Sequence, residues 1–341
     1  MQTRKQKPRQ ARGRGKKIMT VIAIILAVIA VLMLAGATLR ATLYRSARER
    51  VEPYGRLVEV AGGRMHLRSM GSGDDTIVLL PGMGVALPSA EFGPLMRRLS
   101  ERHTVVCVEY FGVGFSSGTA RPRSCGNYVE ETRAALAAAG FRPPYVLMPH
   151  SISGVFAEYY AETHPEEVKA IISLDGTSTA YYEKMPGFVK ALLPVAKFQQ
   201  AVGLTAVAAS LATNRKSLRD EGYSDAEIHD MIAFAGFTVN DTLVEEIAKS
   251  AEFIREAKEL PYPASIPYFK VIARKTYETP NPQMKMSPQD YQRRHLERIG
   301  PEARYEILDG SHFIWLGNAD RIAVIADEVL ASERGSSPSA K

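Results

Sequence analysis

Apolar and polar positions along the chain fall into three patterns, each predicting a different element. From Ile18 to Leu39 there are 22 residues without a charge; as a helix they would extend about 33 Å, enough for the hydrocarbon core of a bilayer. Two short alternating runs, Arg56 to Ala61 and Arg64 to Met70, flank Gly62-Gly63. They predict an antiparallel hairpin whose turn takes its positive φ angles from the glycines. Beyond it, near-continuous apolar runs alternate with helix-length segments: Thr76 to Leu80, Thr104 to Val108, Tyr145 to Met148, Ala170 to Leu174, Tyr268 to Ala273 and Arg304 to Leu308. Strands apolar on both faces must be covered on both. The pattern therefore predicts an α/β domain with a doubly wound, mostly parallel sheet, whose ligand sites lie beyond the carboxyl ends of its strands.

The roughly ninety residues between Leu174 and Tyr268 are too many for a plain crossover. They are rich in helix formers, with apolar spacing at Phe188, Leu192, Leu193, Val195 and Phe198. A helical insertion at a strand's carboxyl end would sit over the site as a cap. Ser224-Asp-Ala-Glu227 has the form of a capping box and should start one of its helices. The expected layout is a basic tail over 1–17, a transmembrane segment over 18–39 and a linker over 40–51. The core then takes 52–176 and 266–333, the cap 177–265, and a disordered tail 334–341.

Charge changes the picture only at the N-terminus. The chain carries a net +6, but Met1 to Lys17 holds eight Lys and Arg and no acid, leaving 35 basic against 37 acidic groups elsewhere. The folded part is not basic, and no nucleic-acid partner is expected. The positive-inside bias places the N-terminus in the cytoplasm and the domain outside, as a single-pass protein of the cell membrane. Ala35-Gly36-Ala37 resembles a signal-peptidase site, so secretion after cleavage near Ala37 stands as the alternative. Two cysteines, Cys107 and Cys125, are too few for a disulfide scaffold and lack the clustering of a zinc site, and neither metal nor cofactor is expected. Cys107 sits in a strand-like run as a core residue. Export would allow the two to pair, which spacing alone leaves open.

The candidate chemistry starts at Pro149-His150-Ser151-Ile152-Ser153-Gly154, which follows the apolar run to Met148 and opens an amphipathic segment. A serine on such a strand-turn-helix apex has a strained backbone and an exposed hydroxyl close to the positive end of a helix. Pro149 and Ser153 stand where glycines usually permit close packing. Around this turn, in order, come Leu79-Leu80-Pro81-Gly82-Met83-Gly84, Val108-Glu-Tyr-Phe-Gly-Val-Gly-Phe-Ser116, Leu174-Asp175-Gly176 and Gly310-Ser311-His312-Phe313. On these motifs residues 52 to 333 resemble a cap-bearing serine hydrolase of the α/β-hydrolase fold, whose order is nucleophile, acid, histidine.

The resemblance implies Ser151 as nucleophile, His312 as general base, and the backbone amides of Met83 and Ile152 as an oxyanion hole. The family commonly places its acid after the strand that follows the cap, where this chain offers only Glu278. Its other location is the end of the strand after the nucleophile helix, which Asp175 occupies; Asp175 is the expected acid and Glu278 the alternative. His150 is expected to shape the pocket, Glu109 and Ser116 to brace their loop, and His66, His103, His164, His229 and His295 to lie on the surface. The implied activity is hydrolysis of an ester, thioester or amide in a small-molecule or lipid-like acyl substrate, with peptidase and carbon–carbon hydrolase variants open. The alternative is a catalytically silent binding domain at the cell surface. Tyr181, Tyr182, Met185 and Phe188 suggest an apolar acyl pocket, although a stripe of such residues is more often cap core than ligand wall. Substrate and oligomeric state are not legible.

Overall fold

Eight strands form one sheet in the order β1-β2-β4-β3-β5-β6-β7-β8, in a computed structural model that describes residues 10–119, 121–181, 187–281 and 284–336. The strands are β1 Arg56–Val60, β2 Gly63–Met70, β3 Thr76–Leu80, β4 Thr104–Glu109, β5 Tyr145–Pro149, β6 Val168–Leu174, β7 Tyr268–Ala273 and β8 Arg304–Leu308. β1 and β2 are antiparallel, β2 pairs antiparallel with β4, and every pairing from β4 to β8 is parallel. Strands β3 to β7 are buried almost throughout, as their continuous apolar runs require.

The hairpin turn lies one residue earlier than expected. Gly63 pairs with Val60, and the positive φ angles fall on Ala61 (48°) and Gly62 (83°). A two-residue turn of this hand matches the right-handed twist of the strands and needs both central residues left-handed; Ala61 accepts that cost.

The helices are α1 Gln10–Leu39, α2 Arg45–Glu49, α3 Pro88–Glu91, α4 Gly93–Leu99, α5 Cys125–Ala138, α6 Ser153–Thr163, α7 Gly187–Ala201, α8 Leu204–Ala212, α9 Arg215–Asp220, α10 Asp225–Ala235, α11 Asp241–Lys258, α12 Arg274–Glu278, α13 Pro288–Ile299 and α14 Ala319–Ser336. One apolar core lies between the sheet and α5, α6 and α11, around Tyr128, Phe156 and Phe253. The other lies beneath α4 and α14, around Phe92, Trp315 and Ile325. α1 continues through a π-helical turn, Arg40–Tyr44, into α2; the segment from Lys16 to Glu49 is long and apolar enough to cross a membrane. Among the described residues five helices, α7 to α11, stand between β6 and β7, and Ser224 and Glu227 close the capping box that starts α10.

Several expectations are corrected. α14 runs to Ser336, into the segment expected to be disordered. His66, His103 and His295 are buried, each beside a carboxylate: Glu109, Asp327 and Glu158 respectively. Cys107 and Cys125 are both free and buried, so they do not pair. Tyr182, Met185 and the side chain of Phe188 lie outside the described residues.

Candidate active site

Ser151 sits in the middle of the three-residue gap between β5 and α6 with φ at +55°, in the left-handed region that non-glycine residues rarely adopt. The surroundings hold it there. The His150 N–H donates to the Leu80 carbonyl at 2.9 Å and the Ser151 N–H to Leu174 at 3.2 Å, while the Ser151 carbonyl accepts from the Thr177 N–H at 2.9 Å. The turn is thus pinned to the ends of β3 and β6. Ser153 is fully buried, and its hydroxyl donates to the Pro81 carbonyl and lies 3.0 Å from the Tyr110 hydroxyl. Where a glycine would leave room, this serine ties the first turn of α6 to the loop after β3.

That loop passes directly over the turn. A Cβ at Gly82 would lie 2.5 Å from His150 Nδ1 and 2.8 Å from Ser151 Cβ, so only glycine allows the approach. Neither the Met83 N–H nor the Ile152 N–H donates a hydrogen bond to any described residue.

His312 Nε2 lies 2.8 Å from Ser151 Oγ, and its Nδ1 lies 2.6 Å from Asp175 Oδ2. Asp175 is buried and itself left-handed, with φ at +46°. Its carboxylate also accepts the Ala273 N–H at 3.0 Å and the Thr276 hydroxyl at 2.7 Å. An ionised carboxylate facing Nδ1 draws the imidazole proton to that nitrogen, leaving Nε2 to accept from the serine hydroxyl. Glu278 lies elsewhere: it pairs with Arg274 at 3.3 Å on the exposed side of α12.

His150 is buried beneath this chain, its ring 4.6 Å from that of His312 and edge-on to Trp315 at 4.8 Å. Its Nε2–H donates to the His312 carbonyl at 2.9 Å, which steadies the loop after β8. Burial above all, and then the neighbouring His312, push its pKa down to about 3, so it is neutral at working pH. An unfolded histidine titrates near 6.5. Between those values the unfolded chain binds a proton that the folded one refuses, so stability falls as pH drops from about 6.5 toward 3. We expect His150→Leu to flatten that slope by up to about 1.4 kcal/mol per pH unit, measured by urea denaturation across this window.

Two further features lie beside this series: the bracing expected of Glu109 and Ser116, and a buried polar chain that carried no signal in the sequence. Glu109, fully buried, accepts the N–H groups of Ser89 and Phe115 at 3.1 and 2.7 Å, and Ser116 donates to its carbonyl at 2.7 Å; both brace the loop after β4. Beneath the loop after Asp175 lies a fully buried chain, Lys270 Nζ to His295 Nδ1 at 2.6 Å and His295 Nε2 to Glu158 at 2.8 Å. Thr179 closes it by donating to Glu158. Burial pushes the Lys270 ammonium down to about 8. A cavity of about 350 Å³ lies beside the loop after β3, between Gly84, Gly112, Asn240 and Thr242.

A mostly parallel sheet with a strained serine between strand and helix, hydrogen-bonded in series to a histidine and a buried aspartate, defines an α/β-hydrolase-like protein. Known proteins agree. The profile of the alpha/beta hydrolase fold matches residues 75–219, and the uncharacterized protein YbdG of Bacillus subtilis is 30% identical over 287 residues, which span 82% of this chain and 86% of that protein. The chain belongs to this α/β-hydrolase family. A 2-(acetamidomethylene)succinate hydrolase from Mesorhizobium japonicum is 29% identical over 122 residues, 36% of this chain and 42% of that protein. Among solved structures, the enol-lactonase of Burkholderia xenovorans LB400 superposes with a TM-score of 0.60 at 18% identity, covering 81% of this chain and all (100%) of that one; this likeness is one of fold.

Proposed function

We propose that residues 52–333 form a serine hydrolase that cleaves an ester, thioester or amide through an acyl-enzyme, tethered to the membrane by residues 18–39. The observation that carries this reading is the unbroken series Ser151–His312–Asp175 with the hydrogen-bond geometry above. The hydrolase among the similar proteins supports a hydrolytic reaction.

In this reading Ser151 Oγ attacks the substrate carbonyl carbon while its proton passes to His312 Nε2. Asp175 stabilises the imidazolium so formed and keeps the ring in register. The negative charge that develops on the carbonyl oxygen is received by the Met83 and Ile152 amides, worth roughly 3 kcal/mol each in the transition state. Neither donor has another partner among the described residues, which is what such a role needs. When the tetrahedral intermediate collapses, the bond to the leaving group breaks and His312 returns the proton to it. Water then repeats the sequence on the acyl-enzyme, with His312 again taking and returning one proton, to release the acid.

The helices α7 to α11 act as a cap over the carboxyl ends of the strands. The eight cations before residue 18 keep the N-terminus in the cytoplasm, so the domain works outside. The test is release of p-nitrophenol from esters of acetate to decanoate by the purified full-length protein. We expect turnover with a chain-length optimum that sizes the acyl pocket; a folded protein inert toward the whole series, and toward thioester and amide analogues, would point instead to a silent binding domain.

A further inference from the structure

The helices α7 and α8 meet at Val202-Gly203, and at that elbow they touch the N-terminal helix α1. A Cβ on Gly36 would lie 2.2 Å from the Val202 carbonyl oxygen, and one on Gly203 would lie 2.4 Å from the Gly36 carbonyl oxygen. The two backbones therefore meet with no side chain between them. Along α1 and into the turn that follows it, Met33, Gly36, Ala37 and Arg40 are partly covered while Leu32, Leu34, Ala35, Thr38 and Leu39 are exposed. That i, i+3, i+4, i+7 spacing is a single helical face. Beyond α1 the packing continues: the Arg40 guanidinium lies 4.8 Å from the Phe237 ring, and that of Arg48 lies 5.0 and 5.1 Å from Phe234 and Phe237.

These contacts set the depth of the elbow. Gly36 lies three residues inside the end of the uncharged stretch at Leu39, about 4.5 Å along the helix axis. An amphipathic helix lying in a bilayer interface sinks its apolar face roughly 5–10 Å into the headgroup–acyl boundary, which is the same level.

The chemistry of the elbow fits that place. From Gly187 to Asn214 there is no Asp or Glu. Leu192, Val195, Phe198 and Leu204 are about half exposed and Leu211 is 82% exposed, although a water-facing helix would carry polar groups there. Of the cations that follow at once, Lys216 pairs with Asp220 and Arg219 with Asp225 at 2.6 Å each, and Arg215 is exposed at the start of α9, where an anionic headgroup could meet it. Lys197 is held by Asp241 of α11.

We propose that the α7–α8 elbow is embedded in the same bilayer face that α1 enters, so that lipid covers its exposed apolar residues and the insertion rests on the membrane. This rests on the reading of residues 18–39 as a membrane span. Cys107 and Cys125 are buried, so single cysteines added at Leu211→Cys, Ile29→Cys and Glu259→Cys in the full-length chain can be labelled with an environment-sensitive nitrobenzoxadiazole. Each labelled protein is reconstituted in phosphatidylcholine–phosphatidylglycerol vesicles with and without doxyl-labelled lipid. Glu259, exposed at the far end of α11, gives the aqueous baseline. We expect the Leu211→Cys probe to be quenched to at least about half the extent of the Ile29→Cys probe, as an interfacial depth requires. Quenching at Ile29→Cys with none at Leu211→Cys would overturn the elbow and leave the span intact. No quenching at either would remove the span itself and the proposal with it. An unquenched Leu211→Cys that cross-links between copies would assign the face to a second copy of this chain.

Discussion

Replacing Ser151 by Ala is expected to lower ester turnover by about 10⁴-fold or more, with little change in stability. The size follows from the way a nucleophile, base and acid act as one unit, so that removing the nucleophile costs nearly as much as removing all three. Stability should hold because the Ser151 backbone makes the bonds that pin the turn, and these are indifferent to the side chain. Residual activity would come from the oxyanion amides and substrate binding alone. Full turnover by Ser151→Ala would locate the chemistry elsewhere.

Asp175→Asn is expected to lower kcat by about 10⁴-fold, while Glu278→Gln changes it less than about twofold, as exposed ion pairs on a helix contribute little. An asparagine fills the same space and can still accept the Ala273 N–H through Oδ1. Its amide then donates to His312 Nδ1, which drives the imidazole proton onto Nε2 and leaves no lone pair to accept from Ser151. The loss should appear in kcat with KM nearly unchanged, because Asp175 is buried behind His312 and away from substrate. Equal loss in both variants, or loss in Glu278→Gln alone, would contradict the role given to Asp175.

Much of the sheet was legible because its strands are covered on both faces. Continuous apolar runs marked β3 and β7 to the residue, and β4, β5 and β6 to within two, while β8 was placed to the residue although its first half is exposed. The hairpin was misplaced by one residue, since two glycines in a row advertise left-handed geometry and the chain puts part of it on Ala61 instead. At the site, order along the chain brought forward Ser151, Asp175 and His312 together with the competing Glu278, because each of the two carboxylates follows a strand end. Only the register of β6 beside β7, and the loop after β8, separates them: Asp175 Oδ1 reaches the Ala273 N–H and Glu278 turns outward to Arg274. Buried polar groups were the least legible. His66, His103 and His295 looked like surface residues because their partners Glu109, Asp327 and Glu158 are distant in sequence. The hydroxyl of Ser153 likewise finds Pro81 and Tyr110 only after the chain folds.

The most direct test of the account is covalent labelling of the folded full-length protein by a fluorophosphonate, with the modified residue identified by peptide mass spectrometry. An activated serine is required for reaction. We expect one adduct, on Ser151, lost in Ser151→Ala and strongly slowed in Asp175→Asn. A folded protein that takes no label, or that carries it on another serine, would contradict it.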